Sequence, residues 1–368
     1  MAVKIWKVTG IALLSIVGLV AVIVGGVLAY RAYRQRQNVE ALAIHTAHGI
    51  DESLFVKVGD IDQWITIRGQ DRSNPVVLFL HGGPGEPSNL IYAAQFIPWT
   101  RDFTIVQWDQ RGAGKTFART GESIGPTLTI ERMTQDGLEL AELLKNRLHK
   151  DKLILVGHSW GTVLGTRMAK ARPDLFYAYV GTGQVVNFQR NEAANYRRVL
   201  DKARASGNQA AVNELQTSGP PPYRTFQALI AQRKWAATYE GVDEFSAAAL
   251  ASARFAPGYS VRDLLQVVPS IRLMKSRLLG DSLDGPFTAV DLESLGLDFS
   301  LPLFVFAGPD DYVTSPDLAK AYVDSLAAPH KEFVLLRTGG HFAIYTHTDL
   351  FLKELATRVR PLAIATKQ

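Results

Sequence analysis

The apolar run Leu153-Ile154-Leu155-Val156 leads directly into Gly157-His158-Ser159-Trp160-Gly161, and a helical pattern follows. Gly-x-Ser-x-Gly at the end of a buried strand demands a sharp strand-to-helix turn that lifts the serine hydroxyl above the edge of a sheet. Side chains two positions either side of the serine would collide with neighbouring backbone, which is why both are glycine. The helix that follows points its N-terminus at the serine, where it favours developing negative charge. At average residue usage this pattern arises by chance in about one chain in ten of this length, so its surroundings decide its meaning.

Composition narrows the field. A chain of 368 residues, 47% of them apolar, is long enough for one large α/β domain with an insertion, or for two domains. It contains no cysteine, which excludes disulfide scaffolds, thiolate nucleophiles and cysteine-based zinc sites. There is no His-Glu-x-x-His, and the His45/His48 pair has no carboxylate pattern beside it, so no metal site is expected. Residues 1–40 carry Lys4, Lys7, Arg31, Arg34 and Arg36 against Glu40, which accounts for +4 of the net charge of +5. The basic balance therefore flanks one segment and does not form a nucleic-acid-binding face.

That segment, residues 8–30, holds no charge. Twenty helical residues span about 30 Å, the thickness of a bilayer core, so a single N-terminal transmembrane anchor is expected. A cleaved signal peptide, cut near Val27-Leu28-Ala29, is the rival, although signal cores are usually shorter. Basic residues on both sides leave the orientation almost unset, and an extracytoplasmic domain is preferred. Ala21, Gly25 and Ala29 form a small-residue stripe through which two such helices could self-associate.

Beyond the anchor and its flanks (1–36) and a polar tether (37–50), alternating residues 54–58 and 63–68 predict a β-hairpin around Gly59-Asp60. Buried strands are expected at 76–80, 103–108, 153–156, 177–181, 303–307 and 333–336, and helices at 130–148, 160–171, 316–327 and 348–359. This alternation predicts a mostly parallel sheet with helices on both faces, divided between 51–186 and 298–368. Residues 187–297 show helical, Ala- and Arg-rich sequence without a buried strand. An all-helical insertion between two strands is most simply a lid over the carboxyl ends of the sheet.

A serine hydroxyl needs a base, and the base needs an orienting carboxylate, in the chain order serine, acid, histidine. The loop after 303–307 offers Asp310 and Asp311, and the loop after 333–336 offers His341, preceded by Gly339-Gly340. The oxyanion of a tetrahedral intermediate requires donors. The N–H of Trp160 is one, and the loop His81-Gly82-Gly83-Pro84-Gly85 supplies another from Gly83, with Gly82 the alternative. Gly112-Ala113-Gly114-Lys115-Thr116 imitates a phosphate-binding loop but has Asp109 where the first glycine belongs, so nucleotide binding is not expected.

Together, His81-Gly82-Gly83-Pro84-Gly85, Trp108-Asp109-Gln110-Arg111-Gly112-Ala113-Gly114 and Gly157-His158-Ser159-Trp160-Gly161 resemble the α/β-hydrolase superfamily, specifically the proline iminopeptidase-like serine peptidases. The resemblance runs from about residue 54 to 359. It implies an α/β-hydrolase fold with a helical lid, prefers Asp311 as the acid, and implies release of N-terminal residues, often proline, from short peptides. It also implies that lid carboxylates bind the substrate's free amine. Glu240, in Trp235-Ala236-Ala237-Thr238-Tyr239-Glu240-Gly241, resembles the family's Trp-x-x-Trp-Glu segment, with Ala236 and Tyr239 where tryptophans are usual. His158 stands where the family often has glycine.

The expected chemistry is acyl transfer to water by Ser159, His341 and Asp311, with Gly83 and Trp160 as oxyanion donors, Glu240 on the substrate, and no cofactor. A membrane-anchored carboxylesterase or lactonase on the same scaffold is the alternative, and a non-catalytic binding protein a more distant one.

Overall fold

The structure, a computed structural model, describes residues 2–364. Side chains of residues 2–8, 10 and 11 fall outside that description, and with them the charges of Lys4 and Lys7. Eight strands carry the fold: β1 (Ile50–Val58), β2 (Ile61–Gly69), β3 (Val76–Leu80), β4 (Thr104–Asp109), β5 (Leu153–His158), β6 (Phe176–Thr182), β7 (Leu303–Ala307) and β8 (Lys331–Leu335). They form one sheet in the order β1-β2-β4-β3-β5-β6-β7-β8. The β1–β2 and β2–β4 pairs are antiparallel, and every pair from β4 to β8 is parallel.

Alternate residues of β3 explain why its whole sequence is apolar. Val76, Leu78 and Leu80 pack on one side with the helices Ile130–Leu148 and Trp160–Ala171. Val77 and Phe79 pack on the other with Phe96, Trp99 and Phe351. A strand buried on both faces has no polar position to alternate with. The helix Ile130–Leu148 starts where the Thr129 side chain accepts a hydrogen bond from the N–H of Arg132, and ends at His149 in a left-handed conformation. Strand order reverses direction around β3 and β5, and the carboxyl ends of strands at such a reversal open a crevice.

Within residues 187–297, helices run from Phe188 to Leu279 with short breaks, and turns fill most of the rest. Among the described residues their only pairing of strand type is the isolated bridge Asn187↔Asp291, which closes the base of the insertion. Tyr196, Val199, Leu215 and Ala236 of this insertion make a small core that includes Tyr312 from the loop after β7. The insertion is thereby seated on the loop that carries Asp311.

The N-terminal helix departs from expectation. It runs from Ala2 to Leu42 without interruption, so the tether expected from residue 37 begins only after Leu42. The reason is tertiary. Arg31 donates to Tyr259 O (2.6 Å), Gln35 to Ala256 O (2.9 Å) and Tyr259 O (2.8 Å), and Asn38 to Phe255 O (3.0 Å). Residues 12–29 are exposed along their length, and this helix is long and apolar enough to cross a membrane.

The Trp108-to-Gly114 segment is a structural junction. Trp108 Nε1 donates to Gln63 Oε1 (2.8 Å), and Asp109 Oδ2 accepts from Lys115 N (2.8 Å) and the Tyr259 hydroxyl (2.7 Å). Arg111 is buried and holds Asp136 through two hydrogen bonds of 2.6 and 3.0 Å, while also donating to Gly59 O and Thr127 Oγ1. Removing one partner of such a buried pair leaves the other charge uncompensated. Asp136→Ala is therefore expected to lower unfolding free energy by about 3–5 kcal/mol, measured by urea denaturation, while Glu131→Ala on the exposed side of the same helix changes it little.

Candidate active site

Ser159 follows β5 with φ +53° and ψ −119°, a left-handed conformation uncommon for a residue with a side chain. The turn is tight enough that a Cβ on Gly161 would lie 2.1 Å from Leu80 O, and one on Gly157 2.7 Å from Gly161 O. Both glycines are therefore required by contact with neighbouring backbone.

His341 reaches this serine from the loop after β8. Its Nε2 lies 3.0 Å from Ser159 Oγ, and its Nδ1 lies 3.1 Å from Asp311 Oδ2. Asp311 is held in turn: Oδ1 accepts from the N–H groups of Val313 (2.9 Å) and Thr314 (2.7 Å), and Oδ2 from the Thr314 hydroxyl (2.7 Å). The neighbouring Asp310 is exposed. Of the two acids left open by the local sequence, the structure brings Asp311 to His341.

Burial by itself lowers the pKa of His341 and raises that of Asp311. Their mutual charge and hydrogen bond overcome both, so His341 stands above the ordinary histidine range and Asp311 below the ordinary aspartate range. Burial pushes Glu240 up to about 7, helped by the charge of Asp311, and the Glu240 carboxylate helps raise His341.

Trp160 is the first residue of the helix after the serine, and its side chain is buried. Gly83, at φ +113°, lines the same cavity as Ser159. Gly82 instead packs its α-carbon against Glu86, His158 and Ser159 Cβ. Gln110 ties the two loops together: it donates to His81 O (3.1 Å) and accepts from Trp160 Nε1 (3.1 Å). His81, with its pKa lowered by burial to about 4, accepts from Gln110 N and donates through Nδ1 to Gly82 O.

Glu240 sits at the site in a different posture from the one its resemblance implies. Oε1 accepts from Tyr312 N (2.8 Å) and Oε2 from His341 N (2.7 Å), so the carboxylate braces the acid and base loops. A Cβ on Gly340 would lie 2.3 Å from Oε2, which explains the glycine before His341. His158, unusual for its position, donates through Nε2 to His341 O (3.0 Å), and burial lowers its pKa to about 3, so it is neutral.

Three residues escaped the sequence reading. Buried Glu192 and half-buried Arg233 form an ion pair lining the cavity with Ser159 and Gly83, a space of about 80 Å³. Glu192 Oε2 has no hydrogen-bond partner. The signal for it was present: Glu192 shares helical spacing with buried Phe188, Asn195, Tyr196 and Val199. Glu86, beside the oxyanion loop, is raised to about 7 by burial. In the segment that imitates a phosphate loop, Lys115 donates to Gly258 O and lies 3.9 Å over the Trp64 ring.

A family model for the alpha/beta hydrolase fold matches residues 75–348. A "Probable aminopeptidase" of Bacillus subtilis is 29% identical over 313 residues, covering 83% of this chain and 95% of its own. A "Proline iminopeptidase" of Lactobacillus delbrueckii subsp. bulgaricus is 22% identical over 301 residues, covering 78% and 90%. The crystal structure of a proline iminopeptidase-related protein from Thermus thermophilus superimposes with a TM-score of 0.57 at 18% identity, over 86% of this chain and 99% of that one, which establishes the shared fold.

The electrostatic account is testable by NMR titration. Removing the Glu240 charge removes one of the influences that raise His341. Glu240→Gln is expected to move the His341 imidazole titration to lower pH and Asp311→Asn to move it further, while Asp310→Asn leaves it in place.

Proposed function

Because this chain belongs to the α/β-hydrolase fold family and is a hydrolase with proline iminopeptidase-like relatives, we propose that it is a membrane-anchored serine aminopeptidase releasing N-terminal residues from short peptides. The observation that carries the reading is the continuous chain Ser159 Oγ, His341 Nε2, His341 Nδ1, Asp311 Oδ2, with gaps of 3.0 and 3.1 Å.

In this mechanism Ser159 Oγ attacks the carbonyl carbon and its proton passes to His341 Nε2. Asp311 accepts from Nδ1–H, which fixes the tautomer and stabilises the imidazolium. The N–H groups of Trp160 and Gly83 hold the oxyanion, where each preorganised donor contributes about 3–4 kcal/mol of transition-state stabilisation. As the C–N bond breaks, His341 returns the proton to the leaving amine. Water then attacks the acyl-serine with His341 as base again, and the released acid leaves Ser159 protonated. His341 must be neutral to start, so kcat/KM falls as pH drops through its raised pKa.

Glu192 supports the amine preference. Its buried Oε2, unpaired and lining the serine's cavity, is suited to accept from a substrate α-ammonium. Glu240, with both oxygens on backbone N–H groups, is assigned to holding the His341 and Asp311 loops. Residues 187–297 act as the lid, between core segments 51–186 and 298–368, and the N-terminal helix anchors the enzyme.

The test is an amino-acid arylamide assayed with and without an N-terminal blocking group, beside an acyl ester. The aminopeptidase reading expects turnover of the free-amine arylamide and loss on blocking; preference for the ester, indifferent to blocking, would assign an esterase instead. Ser159→Ala is expected to lower kcat by about 10⁴–10⁶-fold with folding intact. Glu192→Gln is expected to raise KM for free-amine substrates at least several-fold and to leave the acyl ester nearly unaffected.

A further inference from the structure

Outside the N-terminal helix the described residues expose eight large apolar side chains, and five of them fall within residues 250–271: Leu250, Val261, Leu265, Val268 and Ile271. They lie on the lid helices Asp243–Ala253, Val261–Leu265 and Val267–Met274. The last two of these helices are apolar inward as well. Leu264 and Val267 pack on the cluster of Leu90, Ala253, Ala256 and Tyr259. Ser270 donates to Gly112 O, and Met274 packs against the α-carbons of Gly85 and Gly112. A helical stretch that is apolar toward the protein and apolar away from it lacks the polar face that a water-facing helix carries.

The N-terminal helix says what covers the outer face. Its uncharged stretch ends at Tyr30, and Arg31, Arg34 and Arg36 follow. Phe255 meets this boundary directly: its ring is 5.8 Å from that of Tyr30, and Arg34 lies over it at 5.2 Å. Arg31 and Gln35 donate to Tyr259 O. Gln35 is five residues past Tyr30, about 7.5 Å along a helix axis. The headgroup layer on each side of a bilayer core is about 5–8 Å thick. The lid segment 255–259 is thus held at headgroup level, and Val261 shares a groove with Arg31, Gln35 and Arg36 at the same place. Residues 250–277 carry Arg254, Arg262, Arg272, Lys275 and Arg277 against the single acid Asp263. Apolar side chains among a surplus of cations suit the surface of an anionic bilayer.

We propose that the outer face of the lid, centred on Leu265 and Val268, is a second membrane contact that rests in the headgroup region of the anionic bilayer crossed by the N-terminal helix. This rests on the anchor reading of that helix. It orients the catalytic domain with its lid against the lipid, and the inner side of the same lid segment carries Met274, which touches the oxyanion loop at Gly85.

The chain has no cysteine, so single labelling sites can be introduced cleanly. Leu265→Cys, Val268→Cys and Leu335→Cys are made in the full chain, the last on the exposed edge strand β8 at the far side of the sheet. Each is labelled with an environment-sensitive fluorophore and reconstituted into phosphatidylcholine–phosphatidylglycerol vesicles with spin-labelled lipid. Retained turnover of a soluble substrate certifies folding. The proposal expects blue-shifted emission quenched by the lipid label at 265 and 268, with 335 as unquenched as in detergent. Flotation with the vesicles but equal, water-like emission at all three sites overturns the lid contact and leaves the anchor standing. Failure to float with the vesicles overturns the anchor, and the lid contact with it.

Discussion

The site depends on one backbone constraint, the left-handed turn at Ser159 between β5 and the helix Trp160–Ala171. That turn is sterically open only because Gly157 and Gly161 let the helix approach its own strand and the end of β3, where any side chain on Gly161 would overlap Leu80 O. Several consequences follow from it at once. The hydroxyl stands at the carboxyl edge of the sheet, the helix N-terminus follows it directly, and Gly161 in its first turn lies against Leu80 O and His81 O at the head of the Gly83 loop. Gln110 then locks the two loops in register by bonding His81 O on one side and Trp160 Nε1 on the other. The sheet supplies the rest, because β7 and β8 end beside β5 and β6 and deliver Asp311 and His341 from parallel strands.

Electrostatics around the imidazole are unusually crowded with carboxyl groups. Asp311 is bonded to His341, Glu240 braces its backbone, and Glu86 lies close enough to affect its charge. Burial holds Glu240 and Glu86 near 7, so their ionisation changes across the neutral range. The two other buried histidines are silenced, His81 to about 4 and His158 to about 3. His341 is thereby the one imidazole among these three suited to accept a proton at neutral pH, and His158 serves it by holding its carbonyl.

Much of this was legible in local pattern. β3 and β7 were bounded correctly to the residue because each is a continuous apolar run that follows a proline and is stopped by His81-Gly82 or Gly308. The helices 130–148 and 160–171 were equally plain, one from the helical spacing of its apolar residues, the other from the elbow. β8 begins two residues earlier than read, at Lys331, because an edge strand accepts half-exposed polar residues that break an apolar run. Continuation of the N-terminal helix to Leu42 was not legible, since residues 37–42 look like the start of a polar tether until the contacts of residues 31–38 with 255–259 are known. Glu240 was found by segment resemblance, but its bonds to Tyr312 and His341 join positions 72 and 101 residues away, which no local pattern reports. Glu192 and Arg233 are 41 residues apart for the same reason.

The central claim is that this geometry makes Ser159 a nucleophile, and covalent labelling reads that property without knowledge of the substrate. The full chain is treated with a fluorophosphonate across a range of pH and the modified peptide mapped by mass spectrometry. The account predicts one adduct, on Ser159, forming faster as pH rises through the His341 ionisation and lost in His341→Ala. A protein that hydrolyses substrate while Ser159 stays unmodified, or one labelled at another residue, would contradict it.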